Sequence, residues 1–155
     1  MTGRFAAFLL LLLPLAVSAA EPAVFRLTAE GGVEKFYPKV YQALEEEGFY
    51  VVFEADIGGS LSRFAERWGE DYNRSGLSAI RSMVFCNGWY ANAVSNADPV
   101  LLAMCPLRMT LVEKDGRTTA LFARPTAVAA GSAALPIFQR IEREVIGAIR
   151  KGMGG

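Results

Sequence analysis

Five short segments of the chain have the hydrophobic patterns and composition of β-strands, and they predict five strands. The segments are residues 23–28, 49–57, 79–86, 107–113 and 118–123, each rich in β-branched or aromatic residues. Between the last two segments lies Asp115-Gly116, a pair typical of two-residue hairpin turns because it tolerates positive φ. The last two strands are therefore predicted to be antiparallel partners.

Apolar residues recur at intervals of three and four in two longer segments, which is the spacing of one helix face. These segments cover residues 34–47 and 132–150. Two shorter helices are expected, one beginning after Ser60 and one running from Gly88 to Ser95. The predicted order is β-α-β-α-β-α-β-β-α, an α+β fold. We expect a mostly antiparallel sheet with the two long helices packed on one face.

The first twenty residues have the three parts of a secretory signal peptide. Arg4 supplies the positive charge, residues 6–17 form the apolar run, and Ser18-Ala19-Ala20 is a small-residue cleavage site. We therefore expect residues 1–20 to be removed, leaving one α+β domain over residues 21–155. The domain is predicted to be periplasmic or secreted, with no membrane insertion after cleavage.

The charge of the chain is balanced, and this excludes one class of partner. The sequence holds 16 basic and 16 acidic residues, and removal of Arg4 leaves one acidic residue in excess. Proteins that bind DNA or RNA carry a basic face or stripe. The composition therefore argues against a nucleic-acid partner.

The sequence contains no histidine, which removes several kinds of catalytic and metal site. Ser-His-Asp and Cys-His catalysis need an imidazole, and most protein zinc and haem sites use one. The glycine pairs Gly31-Gly32 and Gly58-Gly59 lack the flanking residues of a phosphate-binding loop. We expect no resident cofactor, and the pattern favours a non-enzymatic protein.

The two cysteines, Cys86 and Cys105, flank the segment between the third and fourth predicted strands. If these strands are antiparallel neighbours, the end of one lies beside the start of the other. In an exported protein such a pair most simply forms a disulfide. Thiol–disulfide exchange is the first alternative, because Cys86 precedes a predicted helix N-terminus that favours a thiolate. Cu(I) binding is the second, with Met104 as an added thioether ligand.

Several residues close to the cysteines are candidates for a ligand groove. They are Asn87, Trp89, Tyr90 and Arg108. The alternative is that the aromatic residues belong to the core. Together these patterns predict a binding or accessory module of the periplasm. Its partner would be an unidentified small molecule or an envelope protein, and the domain would be a monomer or a weak homodimer.

An ordered set of short motifs runs through the chain after the signal peptide. The motifs are Leu44 to Phe49, Val51 to Ile57, Phe85-Cys86-Asn87, Asp98-Pro99, Pro106 to Glu113, Asp115-Gly116 and Arg124-Pro125. This set resembles the family labelled domain of unknown function 302. The resemblance implies an α+β domain with a mainly antiparallel sheet. It implies no activity, because the family has no assigned chemistry.

Overall fold

Five antiparallel strands form one sheet in the computed structural model, which describes residues 22–155. The strands are β1 (Val24–Glu30), β2 (Tyr50–Asp56), β3 (Ala79–Cys86), β4 (Leu107–Lys114) and β5 (Arg117–Ala123). Their spatial order is β1-β5-β4-β3-β2. The predicted strands and the α+β class are confirmed. The predicted signal peptide lies outside the described residues.

Five α-helices connect and cover the strands in this part of the chain. They are α1 (Val33–Glu46), α2 (Ile57–Ser62), α3 (Ala65–Trp68), α4 (Gly88–Ala97) and α5 (Leu135–Met153). Short 3₁₀ segments lie at Gly69–Asp71, Pro99–Met104 and Pro125–Ala127. Within residues 22–155, no helix combines the length and the apolar character that crossing a bilayer requires.

The β4–β5 hairpin turns at Asp115 and Gly116, whose φ angles are 51° and 71°. Positive φ at both central residues is the type I′ turn, whose twist matches that of the strands it joins. Across this turn Lys114 pairs with Arg117, and the register continues to Met109 opposite Phe122. A local dipeptide therefore sets which side chains of the two strands reach the core.

The long helices α1 and α5 pack on one face of the sheet, as predicted. On β4, Leu107, Met109 and Leu111 are buried, whereas the intervening Arg108 is exposed. Side chains alternate across a strand, so this pattern assigns one face to the helices and the other to solvent. The largest fully buried side chains are Phe49, Phe85, Phe122, Phe138, Leu44, Met83, Met109, Leu111, Ile141, Ile149, Val33 and Val40.

A glycine near the end of α5 lets its backbone approach α1 closely. A Cβ atom placed on Gly152 would lie 2.6 Å from the Val40 Cα. No side chain fits at that distance without movement of the two helices, because the obstructing atom belongs to the backbone. Gly152 therefore fixes how closely the two helices pack.

The short helices after β2 differ from the prediction of one helix starting beyond Ser60. Helix α2 begins at Ile57 because the Asp56 carboxylate caps it, accepting a hydrogen bond from the Gly59 N–H at 2.8 Å. Phe64 then separates α2 from α3, with φ −106° and ψ 4°. The cap therefore includes both Gly58 and Gly59 in the helix.

Replacement of Gly152 by alanine should destabilise the fold. Overpacking at a closely packed site costs about 1–3 kcal/mol, and we expect a loss of that order in the free energy of unfolding measured with urea. Gly147 is the matched control in the same helix, because a Cβ there meets nothing within 4 Å. Gly147→Ala should stabilise by about 0.5–1 kcal/mol. Equal effects of the two substitutions would contradict the proposed helix contact.

Candidate functional site

The two cysteines lie at the adjoining ends of β3 and β4. These strands are antiparallel neighbours, and their last regular pair is Phe85 with Leu107. Continuing that register by one residue places Cys86 across from Pro106, with Cys105 immediately beyond. Both cysteines are half-buried free thiols in this structure. The adjoining strand ends are therefore confirmed, whereas the predicted disulfide is not formed and the two sulfurs do not lie close together.

Cys86 is the last residue of β3 and precedes the helix α4. It pairs across the sheet with Tyr50 of the edge strand β2. Directly opposite residues share a face, and the preceding residue of β3, Phe85, is fully buried on the other face. The Cys86 side chain therefore points to the face that α1 and α5 leave uncovered. Tyr50 on that face is 62% exposed.

Cys105 ends the 3₁₀ segment Pro99–Met104 and is followed by a cis peptide bond to Pro106. Burial raises the pKa of the Cys105 thiol, and the neighbouring Cys86 raises it further. Burial acts because a thiolate is poorly solvated there, and the second thiol acts through like-charge repulsion. The Cys105 thiol therefore stays protonated up to a higher pH than an ordinary cysteine thiol.

Asn87 and Tyr90, two residues of the predicted ligand groove, have structural partners. The Asn87 Oδ1 accepts hydrogen bonds from the N–H groups of Trp89 and Tyr90, at 3.0 and 3.2 Å, and so caps α4. The Tyr90 ring is buried and stacks on Phe49 at 5.9 Å. Its hydroxyl donates to the Glu144 Oε1 at 2.6 Å. Tyr90 therefore belongs to the core packing.

The structure does not bring Trp89 and Arg108 into one groove with the other two. Trp89 is 64% exposed, with the Arg140 Cζ at 5.9 Å from its ring centre. Arg108 lies on the uncovered sheet face and lines a cavity of about 310 Å³ together with Met104 and Pro106. None of Asn87, Trp89 and Tyr90 lines that cavity. The predicted groove residues therefore do not share this cavity.

The methionines near the cysteines divide between core and surface. Met83 and Met109 pair across β3 and β4, and both are fully buried. Met104 is half-buried beside Cys105. Among the residues that the structure describes, no three histidine, cysteine or acidic side chains form a group that could hold a metal ion. A thiolate–thioether set for Cu(I) would therefore consist of Cys86, Cys105 and Met104 alone.

A second site, absent from the sequence prediction, lies between α5 and the segment after β5. It is a cavity of about 690 Å³. Its lining residues are Arg124, Thr126, Gln139, Glu142, Arg143, Ile146 and Arg150. The spacing of Gln139, Arg143, Ile146 and Arg150 along one helix face was available from the sequence. The arrival of Arg124 and Thr126 from another segment was not.

Comparison with known proteins identifies relatives of the fold without an activity. The family model described as "Domain of unknown function DUF302" matches residues 25–152. No curated protein matches the chain. A solved structure, the crystal structure of an uncharacterized conserved DUF302 protein from Bacillus stearothermophilus, superposes with a TM-score of 0.71. The identity is 18%, over 83% of this chain and 97% of that one, so the likeness concerns the fold alone.

Replacement of Asn87 by alanine should destabilise the start of α4. Loss of an N-cap side chain typically costs about 1 kcal/mol, and we expect that decrease in the free energy of unfolding. Asn87→Ser should retain most of the stability, because serine also caps. The control is Asn92→Ala, an exposed position inside the same helix, where alanine should be neutral or slightly stabilising. A neutral Asn87→Ala would contradict the capping role.

Proposed function

Since the chain belongs to the family of domain of unknown function DUF302, we propose that it is a small exported module with a binding or accessory role in the periplasm. We further propose that a Cys86–Cys105 disulfide braces this module once it has left the cytoplasm. The basic residue, apolar run and Ser18-Ala19-Ala20 site at the start of the sequence support export. Oxidation of cysteine pairs is the normal outcome in that compartment.

The observation that carries the proposal is the position of the two thiols at one corner of the sheet. Cys86 and Cys105 come from the adjoining ends of β3 and β4, and the charge of one thiol influences the pKa of the other. A bond between them would close a loop of about 20 residues, for which chain entropy gives about 3 kcal/mol of stabilisation. That is a large share of the stability of a domain of this size.

A binding role is supported by the chemistry that the residues offer. The sequence has no histidine for general acid–base work at neutral pH. The cavity between α5 and the segment after β5 is lined by arginines together with one carboxylate that is already hydrogen-bonded to its neighbours. Such a site binds and orients a ligand better than it transfers protons. The partner is proposed to be a small molecule or an envelope protein, and the module a monomer or a weak homodimer.

Thiol–disulfide exchange is the second candidate, and the position of Cys86 favours it. Cys86 directly precedes the Asn87 cap of α4, close to the positive end of the helix dipole. The raised pKa of Cys105 opposes it, because exchange proceeds through a thiolate. Binding of Cu(I) by Cys86, Cys105 and Met104 is a third candidate. Stoichiometric uptake of Cu(I) by the reduced protein would support it.

Protein purified from the periplasm should contain no alkylatable thiol before reduction. Peptide mapping without reductant should join the Cys86 and Cys105 peptides, and reduction should lower the melting temperature. The double variant Cys86→Ser/Cys105→Ser is the control, and its melting temperature should not respond to reductant. A reduction potential below about −300 mV supports a structural bond. Two free thiols in the exported protein would contradict the proposed disulfide. A bond that is easily reduced would instead favour thiol–disulfide exchange.

The reduced protein should show an elevated titration midpoint for Cys105. Because burial raises the pKa of this thiol in the folded state, its thiolate forms at higher pH than in the unfolded chain. Folding therefore loses stability as the pH rises from the unfolded pKa through the folded one. The pH profile of Cys105 alkylation, followed by mass spectrometry, should shift upward relative to the same chain in urea. Coincident midpoints would contradict the burial effect.

A further inference from the structure

The cavity between α5 and the segment after β5 is lined by more basic side chains than acidic ones. Three arginines line it, Arg124, Arg143 and Arg150, against one acidic residue, Glu142. The lining is therefore net positive, although basic and acidic residues are equal in number over the sequence as a whole. Its volume of about 690 Å³ falls within the range of small-molecule sites.

The buried carboxylate of Glu142 forms the fixed base of the cavity. Its Oε1 accepts from the Arg124 Nη1 at 2.5 Å, and its Oε2 accepts from the Thr126 hydroxyl at 2.6 Å. The Thr126 N–H donates to the same Oε2 at 3.3 Å. A buried charge is tolerated where its oxygens are hydrogen-bonded and paired in this way. The carboxylate of Glu142 is thus already paired with Arg124 and Thr126 in the cavity wall.

Arg143 and Arg150 supply positive charge that no carboxylate of the described residues pairs with. They lie seven residues apart on α5, hence on the same face of the helix, and both are exposed. Within residues 22–155, neither makes an ion pair with a carboxylate. Arg150 and Arg124 both stand over the Phe25 ring, at 5.7 and 5.8 Å from its centre. That shared ring holds two of the guanidinium groups at one end of the cavity.

We propose that this cavity binds a ligand through a carboxylate or phosphate group, held by Arg143 and Arg150. Guanidinium groups match both anions with paired hydrogen bonds. Gln139 adds a neutral donor to the same wall. The inference rests on the proposed role of the chain as a binding module, and it is independent of the cysteines.

The test uses the full exported chain, residues 21–155, with two kinds of probe. Calorimetric titration with citrate and with inorganic phosphate measures binding of free anions. Sedimentation with phosphatidylcholine vesicles, with and without phosphatidylglycerol, measures binding of a lipid headgroup. The variants are Arg143→Gln and Arg150→Gln. The control is Arg140→Gln, an exposed arginine of the same helix that does not line the cavity.

Loss of a hydrogen bond to a charged group should weaken binding about tenfold or more, so Arg143→Gln and Arg150→Gln should each show that decrease. Arg140→Gln should bind like the natural chain, and melting curves should show that all three variants fold. Saturable binding of citrate or phosphate with this pattern supports a free anion. Arginine-dependent binding to anionic vesicles alone supports a headgroup. Absence of binding to either probe, or an equal loss in Arg140→Gln, overturns the inference.

These outcomes are distinct from those that bear on the disulfide. If the exported protein has free thiols but still binds anions through Arg143 and Arg150, only the proposed disulfide is contradicted. A confirmed disulfide in protein that binds neither probe would remove only the anion site. If the thiols are free and neither probe binds, the proposal that the chain is a binding module is contradicted.

Discussion

Packing of α1 and α5 on one face of the sheet is the contact on which the rest of the structure depends. Strands β1, β3, β4 and β5 bury apolar side chains on that face, and Gly152 lets the two helices meet at Val40 without an intervening side chain. Because this face takes the apolar residues, polar and titratable groups are left to the open face and the rim. The cysteine corner and the arginine-lined cavity both lie where a strand leaves the core.

The two sites use burial in opposite ways. At the cysteine corner, burial works against charge and keeps the Cys105 thiol protonated. In the arginine-lined cavity, Glu142 remains buried because Arg124 and Thr126 occupy both of its oxygens. The first arrangement disfavours a reactive thiolate at Cys105. The second leaves two arginines of α5 directed to solvent, and these are available to a ligand.

Family membership and structural similarity define the architecture and leave the chemistry to this chain's own residues. At 18% identity, the solved DUF302 structure shares the fold alone. The functional argument therefore rests on side-chain positions: two thiols at one corner, and three arginines around a single engaged carboxylate. Neither site depends on the other, since they lie at separate elements of the rim.

The sequence alone determined the local structure, because period-two and period-3.6 patterns and the Asp115-Gly116 turn act over neighbouring residues. These patterns predicted the α+β class, the strands, the two long helices and the hairpin between the last two strands. Only the tertiary structure decided that Tyr90 joins the core and that Arg124 meets α5. The reason is physical: periodicity tells which side of an element is apolar, whereas long-range packing selects the distant side chains that meet there.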